Sequence, residues 1–216
     1  MGRCPIRDLE FKEKDSMHTV IDSDGFHIIT RDREAVAAQK NSSVIPPFSS
    51  RHVGVAAEAF AAAVFAQCGL DISVQYGANQ PEYDLIVARG DQMLKVSVKG
   101  SKDGSWGLTQ SHLRNADYHL AVDEWLRKHK KKTVFCLVQF RDVAVGATPR
   151  IYLATPGEIA ERLKAASGGR GDTILYERHV RGPRAAGAGT LEELPLEWRF
   201  STGRVDELLL ALCELS

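Results

Sequence analysis

Glu58, Asp84, Ser97 and Lys99 are the residues of this chain whose types and spacing could do chemistry. Glu58 is the only charged residue between Val53 and Ala66. Asp84 stands in "YDLIVAR" (83–89), alternating with Ile86 and Ala88 and opposing Tyr83, Leu85 and Val87. In "MLKVSVKGS" (93–101), Leu94, Val96 and Val98 point one way and Lys95, Ser97 and Lys99 the other. Two adjacent antiparallel strands can put Asp84 beside the Ser97/Lys99 face, and a helix packed on that face can bring Glu58. Two carboxylates and a lysine would then converge at a sheet edge. Magnesium takes oxygen ligands in octahedral geometry and keeps several waters. An ion held there activates water and neutralises charge on a phosphate in transition. A lysine beside the attacking water stabilises the oxyanion or helps deprotonate the nucleophile.

Each residue also has a plainer reading. Glu58 can sit at a solvent edge, Asp84 can end a turn after Pro81, and a strand face carrying two lysines can simply be solvated. The same choice applies nearby. Lys95 and Lys102 flank the group and would contact nucleic-acid phosphate, or they are solvated lysines. Trp106 and Gln110 in "DGSWGLTQSH" touch nucleic acid or pack a loop, and packing is the expectation. "RKHKKK" (127–132) reads as a charged helix end. His52, His112, His119 and His179 show no paired spacing for a metal, and "GGRG" (168–171) lacks the context of a phosphate loop.

The elements that must position these residues follow from the pattern. "SRHVGVAAEAFAAAVFAQCGL" (50–70) is Ala-rich and ends near Gly69, which predicts a helix capped by Ser49 or Ser50. Strands follow at 71–77, 83–89 and 93–101, with a turn at Gly90-Asp91. The stretch 111–132 predicts an amphipathic helix, and "TVFCLVQF" (133–140) a buried, central strand. Another strand is expected at 150–154, then a helix over 155–166 with Thr155 as N-cap, Pro156 in its first turn and Glu158 closing a capping box. The Gly/Arg-rich 167–190 predicts long loops around "TILYERHV" (173–180), and the tail a helix over 204–215. A hairpin turning at Asp24-Gly25 can form within the first 50 residues, which "NSSVIPPFSS" (41–50) separates from the rest. The order is that of an α/β/α sandwich around a mixed sheet.

Bulk properties narrow the class. The chain has 216 residues, 44% hydrophobic and 26% charged, enough for a core without disulfides or a structural metal. Net charge is zero, yet residues 93–132 hold nine Lys/Arg against four Asp/Glu, a local excess that suits a polyanionic partner. Cys4, Cys68, Cys136 and Cys213 are scattered, with no CxxC pair, which fits a reducing, cytoplasmic setting. No apolar run reaches membrane-spanning length and no secretory signal opens the chain, so no membrane partner is expected.

Glu58, "PEYDLIV" (81–87) and "VSVKGS" (96–101) together resemble the PD-(D/E)xK nuclease superfamily, over roughly residues 52–155. The likeness is to its bacterial endonuclease-like and Holliday-junction-resolvase-like branch, with a "YDLIV…VQVK" pattern. "LPLEWRFSTGRVDELL" (194–209) is similar to tails found beside such domains. The resemblance implies the restriction-endonuclease-like α/β/α fold and a nuclease that hydrolyses DNA using Mg²⁺, with Mn²⁺ as a substitute. It implies Asp84, Glu58 and the main-chain carbonyl of Val98 as metal ligands, and Lys99 at the nucleophile. Such enzymes often act as homodimers. The family usually has Glu, Asp or Gln where this chain has Ser97, a shorter and neutral ligand. Two other readings stand beside the nuclease: a catalytically inactive nucleic-acid-binding or interaction module on the same fold, and an unrelated α/β protein with a polar sheet face. The domain expectation is an N-terminal extension (1–50), a nuclease-like core (51–166) and a loop-rich C-terminal segment ending in a helix (167–216).

Overall fold

The computed structural model describes residues 19–21, 27–29, 48–75, 82–129 and 133–213, in two units, residues 1–45 and 46–216. In the first, β1 (Thr19–Ile21) pairs antiparallel with β2 (His27–Ile29), Val20 opposite Ile28. The Asp24-Gly25 turn expected between them lies outside the described residues.

The second unit begins with α1 (Ser50–Gln67). The Ser49 hydroxyl accepts the His52 N–H at 3.3 Å, and His52 Nδ1 accepts the Ser49 N–H, so a histidine completes the capping box. Gly69 then takes φ +75°, the left-handed turn a helix end favours. Next come β3 (Asp71–Val74), β4 (Leu85–Arg89), β5 (Gln92–Ser101), β6 (Ser105–Gly107), α2 (Tyr118–Lys128), β7 (Thr133–Gln139) and β8 (Arg150–Ala154). They are followed by α3 (Pro156–Ala165), β9 (Ile174–Tyr176), β10 (Arg178–Val180), β11 (Leu191–Glu193) and α4 (Thr202–Cys213).

The main sheet has five strands in the order β3-β4-β5-β7-β8. The β5–β7 pair is parallel and the others antiparallel, so the sheet is mixed. A parallel pair needs a crossover, and β6 and α2 lie in it. Two apolar clusters sandwich the sheet. On one face α1 (Ala57, Ala61, Phe65) and α4 (Val205, Leu208, Leu209) meet Leu85, Val87, Leu94, Val96 and Val98. On the other, α2 (Val122, Trp125) and α3 (Ile159, Leu163) meet Phe135, Leu137 and Tyr152. All seven residues of β7 are buried, as its unbroken apolar run requires of an interior strand; β5, not β7, is the middle strand.

One expectation changes. The helix expected over 111–132 starts only at Tyr118, because Gln110–His112 forms a 3₁₀ turn and Asn115 and Ala116 take φ of +50° and +57°. Asp117 caps it, accepting the Leu120 N–H at 2.9 Å. Within 167–190, "TILYERHV" supplies β9 and β10: β9 pairs with β6, Trp106 opposite Leu175, and β10 pairs with β11. The C-terminal segment joins both cores: Leu194 and Trp198 enter one and α4 the other.

Arg204 shows how tightly the tail is fastened. Its side chain is 5% exposed, and Nη2 donates to Glu158 Oε1 at 2.6 Å and Oε2 at 2.7 Å, while Nη1 reaches Glu207 at 2.8 Å. Glu158 also accepts the Thr155 N–H at 2.7 Å, so one carboxylate caps α3 and anchors α4. Arg204→Ala strips the cation from this pair. Glu158 keeps partial access to water, which softens the loss, and urea denaturation should show about 2 kcal/mol of destabilisation.

Candidate functional site

A cleft of about 290 Å³ opens on the α2 side of the sheet, lined by Glu82, Asp84, Ser97, Lys99, Trp125 and His129, with Gly107, Leu108 and Phe135. Three of the four residues singled out from the sequence meet there. The Asp84 N–H donates to Val96 O at 2.8 Å, continuing the antiparallel ladder one residue before β4 begins. Leu85 pairs with Val96, and Asp84, just before it, lines the same cleft as Ser97. The Asp84 carboxylate is fixed: Oδ2 accepts the Val98 N–H at 2.6 Å, a charge-assisted bond. A strand residue projects its N–H and C=O to the same side, so the Val98 carbonyl points to the edge where Asp84 stands. Ser97 is buried and Lys99 exposed. The Lys99 carbonyl accepts the Trp106 Nε1–H at 2.9 Å, so Trp106 packs, as expected, and holds the lysine's backbone.

Glu58 arrives differently from the expectation. α1 packs on the Leu94/Val96/Val98 face, not on the Asp84/Ser97/Lys99 face, and Glu58 is not among the residues lining the cleft. Gly100 makes the close approach possible: a Cβ there would lie 2.8 Å from both Val53 Cγ1 and Val53 O, and 3.0 Å from the Ala57 Cβ. Glu58, the next residue, is half-buried, and burial raises its pKa; the Asp84 charge adds to the rise and Lys99 opposes it. Among the described residues, neither the Glu58 nor the Lys99 side chain has a hydrogen bond or an ion pair. The two flanking lysines are engaged elsewhere. Lys95 Nζ lies over the Tyr83 ring, 5.0 Å from its centroid, and Lys102 Nζ donates to Phe48 O at 2.5 Å.

Asp84 and Glu58 could offer carboxylate oxygens and Val98 a carbonyl, the donor type a hard cation such as magnesium takes, with water completing its shell. Among the described residues, no group of three or more His, Cys, Asp or Glu side chains could hold a metal ion. A magnesium site here would therefore have to rest on two carboxylates and the backbone.

His129 was hidden in the sequence by the basic run around it. It ends α2, with its ring 4.3 Å from that of Trp125 and 5.1 Å from that of Phe135. Both ring nitrogens are buried without a hydrogen-bond partner. Burial lowers its pKa below the usual 6.5; Glu82 opposes this, and Lys99, His112 and Lys128 reinforce it. The folded protein thus disfavours protonation that the unfolded chain accepts. The resulting stability is complete above about pH 6.5 and is lost as pH falls below it, at no more than about 1.4 kcal/mol per pH unit. Urea titrations at several pH values should show this slope in the wild type and a shallower one in His129→Leu.

No family model matches this chain, and neither does any curated protein or solved structure. Among the described residues, no helix is long and apolar enough to cross a membrane.

Proposed function

We propose that this chain is a metal-dependent nuclease that hydrolyses DNA phosphodiester bonds on a restriction-endonuclease-like fold. The observation that carries the proposal is the meeting of Asp84, Ser97 and Lys99 in one cleft, with the Asp84 carboxylate locked onto the backbone of β5. Asp84, Glu58 and the Val98 carbonyl would hold Mg²⁺ or Mn²⁺, which supplies charge neutralisation and a more acidic water when bound. Lys99, exposed and unpaired, would hold the non-bridging phosphate oxygen where negative charge builds up. Asp84, fixed through Oδ2, needs no reorganisation to present its other oxygen. Trp106 keeps the Lys99 backbone in place while its side chain stays free to reach the substrate.

The second reading is a DNA-binding module without catalysis, and Ser97 favours it. Its short, neutral side chain lines the cleft with Asp84, where the resemblance expects a carboxylate or an amide. The test is incubation of supercoiled and branched DNA with the protein and Mg²⁺ or Mn²⁺, with and without EDTA. Metal-dependent nicking supports the nuclease; salt-sensitive binding without cleavage moves the assignment to the module.

Ser97→Asp probes the same position. It sets a second carboxylate against Asp84, so the variant should be less stable than wild type in EDTA. With millimolar Mg²⁺ the order of the metal-induced shifts should reverse, the variant gaining several degrees more in Tm than the wild type does. Differential scanning calorimetry with and without metal reads both signs.

A further inference from the structure

A second concavity, of about 210 Å³, lies at the N-terminal end of α2 and includes Tyr118, Arg170, Asp172, Arg181 and Arg184 in its lining. Gly171 lets the 167–172 loop sit against the helix: a Cβ there would be 2.9 Å from the Tyr118 Cβ, and its φ of +90° suits glycine. Arg181 is the centre of the construction. Its side chain is 10% exposed, and Nη2 donates to Asp172 Oδ2 at 2.6 Å and to Glu192 Oε2 at 2.7 Å, while Nε is buried without a partner. The two carboxylates are also committed at their other oxygens. Asp172 Oδ1 accepts the N–H groups of Thr173 and Ile174 at 2.7 and 3.0 Å, and Glu192 Oε1 accepts that of Ser167 at 2.6 Å. Arg170 lies over the Tyr118 ring, 5.5 Å from its centroid, and Arg184 makes no ion pair among the described residues. Two carboxylates against one guanidinium leave one negative charge, spread over three backbone N–H groups, and Arg170 and Arg184 bring the whole group to a net positive charge.

We propose that this pocket binds a phosphate group, held by the guanidinium groups of Arg170 and Arg184 over a floor fixed by Arg181. Guanidinium forks match phosphate oxygens two at a time, and an arginine already stacked on an aromatic ring loses less freedom when it binds. Assigning that phosphate to a DNA backbone rests on the nuclease reading; the alternative source is a free phosphate or mononucleotide. Position favours DNA. His129 at one end of α2 lines the cleft and Tyr118 at the other lines this pocket, and a helix of this length spans roughly 16 Å. One strand of a duplex covers that distance in about five nucleotides.

The experiment uses the full chain, with Arg170→Ala and Arg184→Ala combined. Both residues are exposed, so folding should survive, and circular dichroism checks it. Anisotropy of a labelled duplex is measured in EDTA from about 50 to 200 mM salt. Losing two phosphate contacts should flatten the salt dependence, so that wild type weakens about tenfold more than the variant across this range. Calorimetric titration with inorganic phosphate and a 5′-mononucleotide forms the second arm. Binding there that the variant loses, with DNA affinity unchanged, places a free phosphate in the pocket. Unchanged DNA binding and salt slope, together with no variant-sensitive phosphate binding, overturns the proposal. Incubating the same duplex with wild type and Mg²⁺ separates the two readings: a wild type that binds DNA through the arginines but does not cleave it keeps the pocket and loses the nuclease.

Discussion

Asp84→Asn should reduce metal-dependent cleavage by about a thousandfold or more, equivalent to about 4 kcal/mol in the barrier, while leaving the fold intact. The substitution changes charge but hardly shape. The amide oxygen of asparagine can still accept the Val98 N–H that Asp84 Oδ2 accepts at 2.6 Å, so the start of β4 keeps its anchor on β5. What disappears is a carboxylate whose position is already set by the sheet. Of the two carboxylates proposed for the metal only Glu58 would be left, and it is held from another element on the far face. Two measurements check the claim together: single-turnover cleavage of supercoiled DNA with Mg²⁺, and Tm in EDTA. A large rate loss with an unchanged Tm assigns Asp84 to chemistry. A parallel fall in Tm would assign it to structure. Cleavage that survives the substitution would remove Asp84 from the site and, with it, the reading of this cleft as a nuclease centre.

The sequence made some of this legible and hid the rest for identifiable reasons. Alternation is a two-residue signal, so "LKVSVK" assigned its own faces correctly, and once β4 paired with β5 in register, Asp84 entered the same cleft as Ser97. Capping chemistry is equally local, which is why Thr155, Pro156 and Glu158 marked the start of α3 and Ser49 that of α1. The side of the sheet on which α1 packs is not local. The helix is apolar on most of its circumference, so its own pattern did not say which face Glu58 would leave exposed; Gly100 and the small residues around Ala57 decide it. The strands β6, β9, β10 and β11 have three residues each, too few to show a period. His129 was lost among lysines, because a charge run reads as solvated surface unless tertiary contacts reveal an aromatic cage. The two lysines expected on phosphate were assigned by proximity in sequence, and their actual partners, the Tyr83 ring and the Phe48 carbonyl, depend on the folded chain.

Gly100→Ala tests the link between packing and site most directly. A methyl group at this position would sit 2.8 Å from a main-chain oxygen, Val53 O, as well as from the Val53 Cγ1, and 3.0 Å from the Ala57 Cβ. A flexible side chain could rotate away, but a helix backbone cannot, so α1 must move off β5 or β5 must bend. Overpacking of this kind costs about 3 kcal/mol. Val53 and Ala57 are both buried in the wild type, and Glu58 is covalently next to Ala57, so the same displacement carries the carboxylate away from Asp84 and Lys99. Gly100→Ala should therefore lower stability in urea by about that amount and also lower cleavage at temperatures where the variant is still fully folded. Glu58→Gln supplies the comparison, because it removes the charge without moving the helix. If the glycine acts by placing Glu58, adding Gly100→Ala to Glu58→Gln should cost stability again but little further activity. Equal and additive losses of activity would mean that Gly100 supports the cleft by a route independent of Glu58.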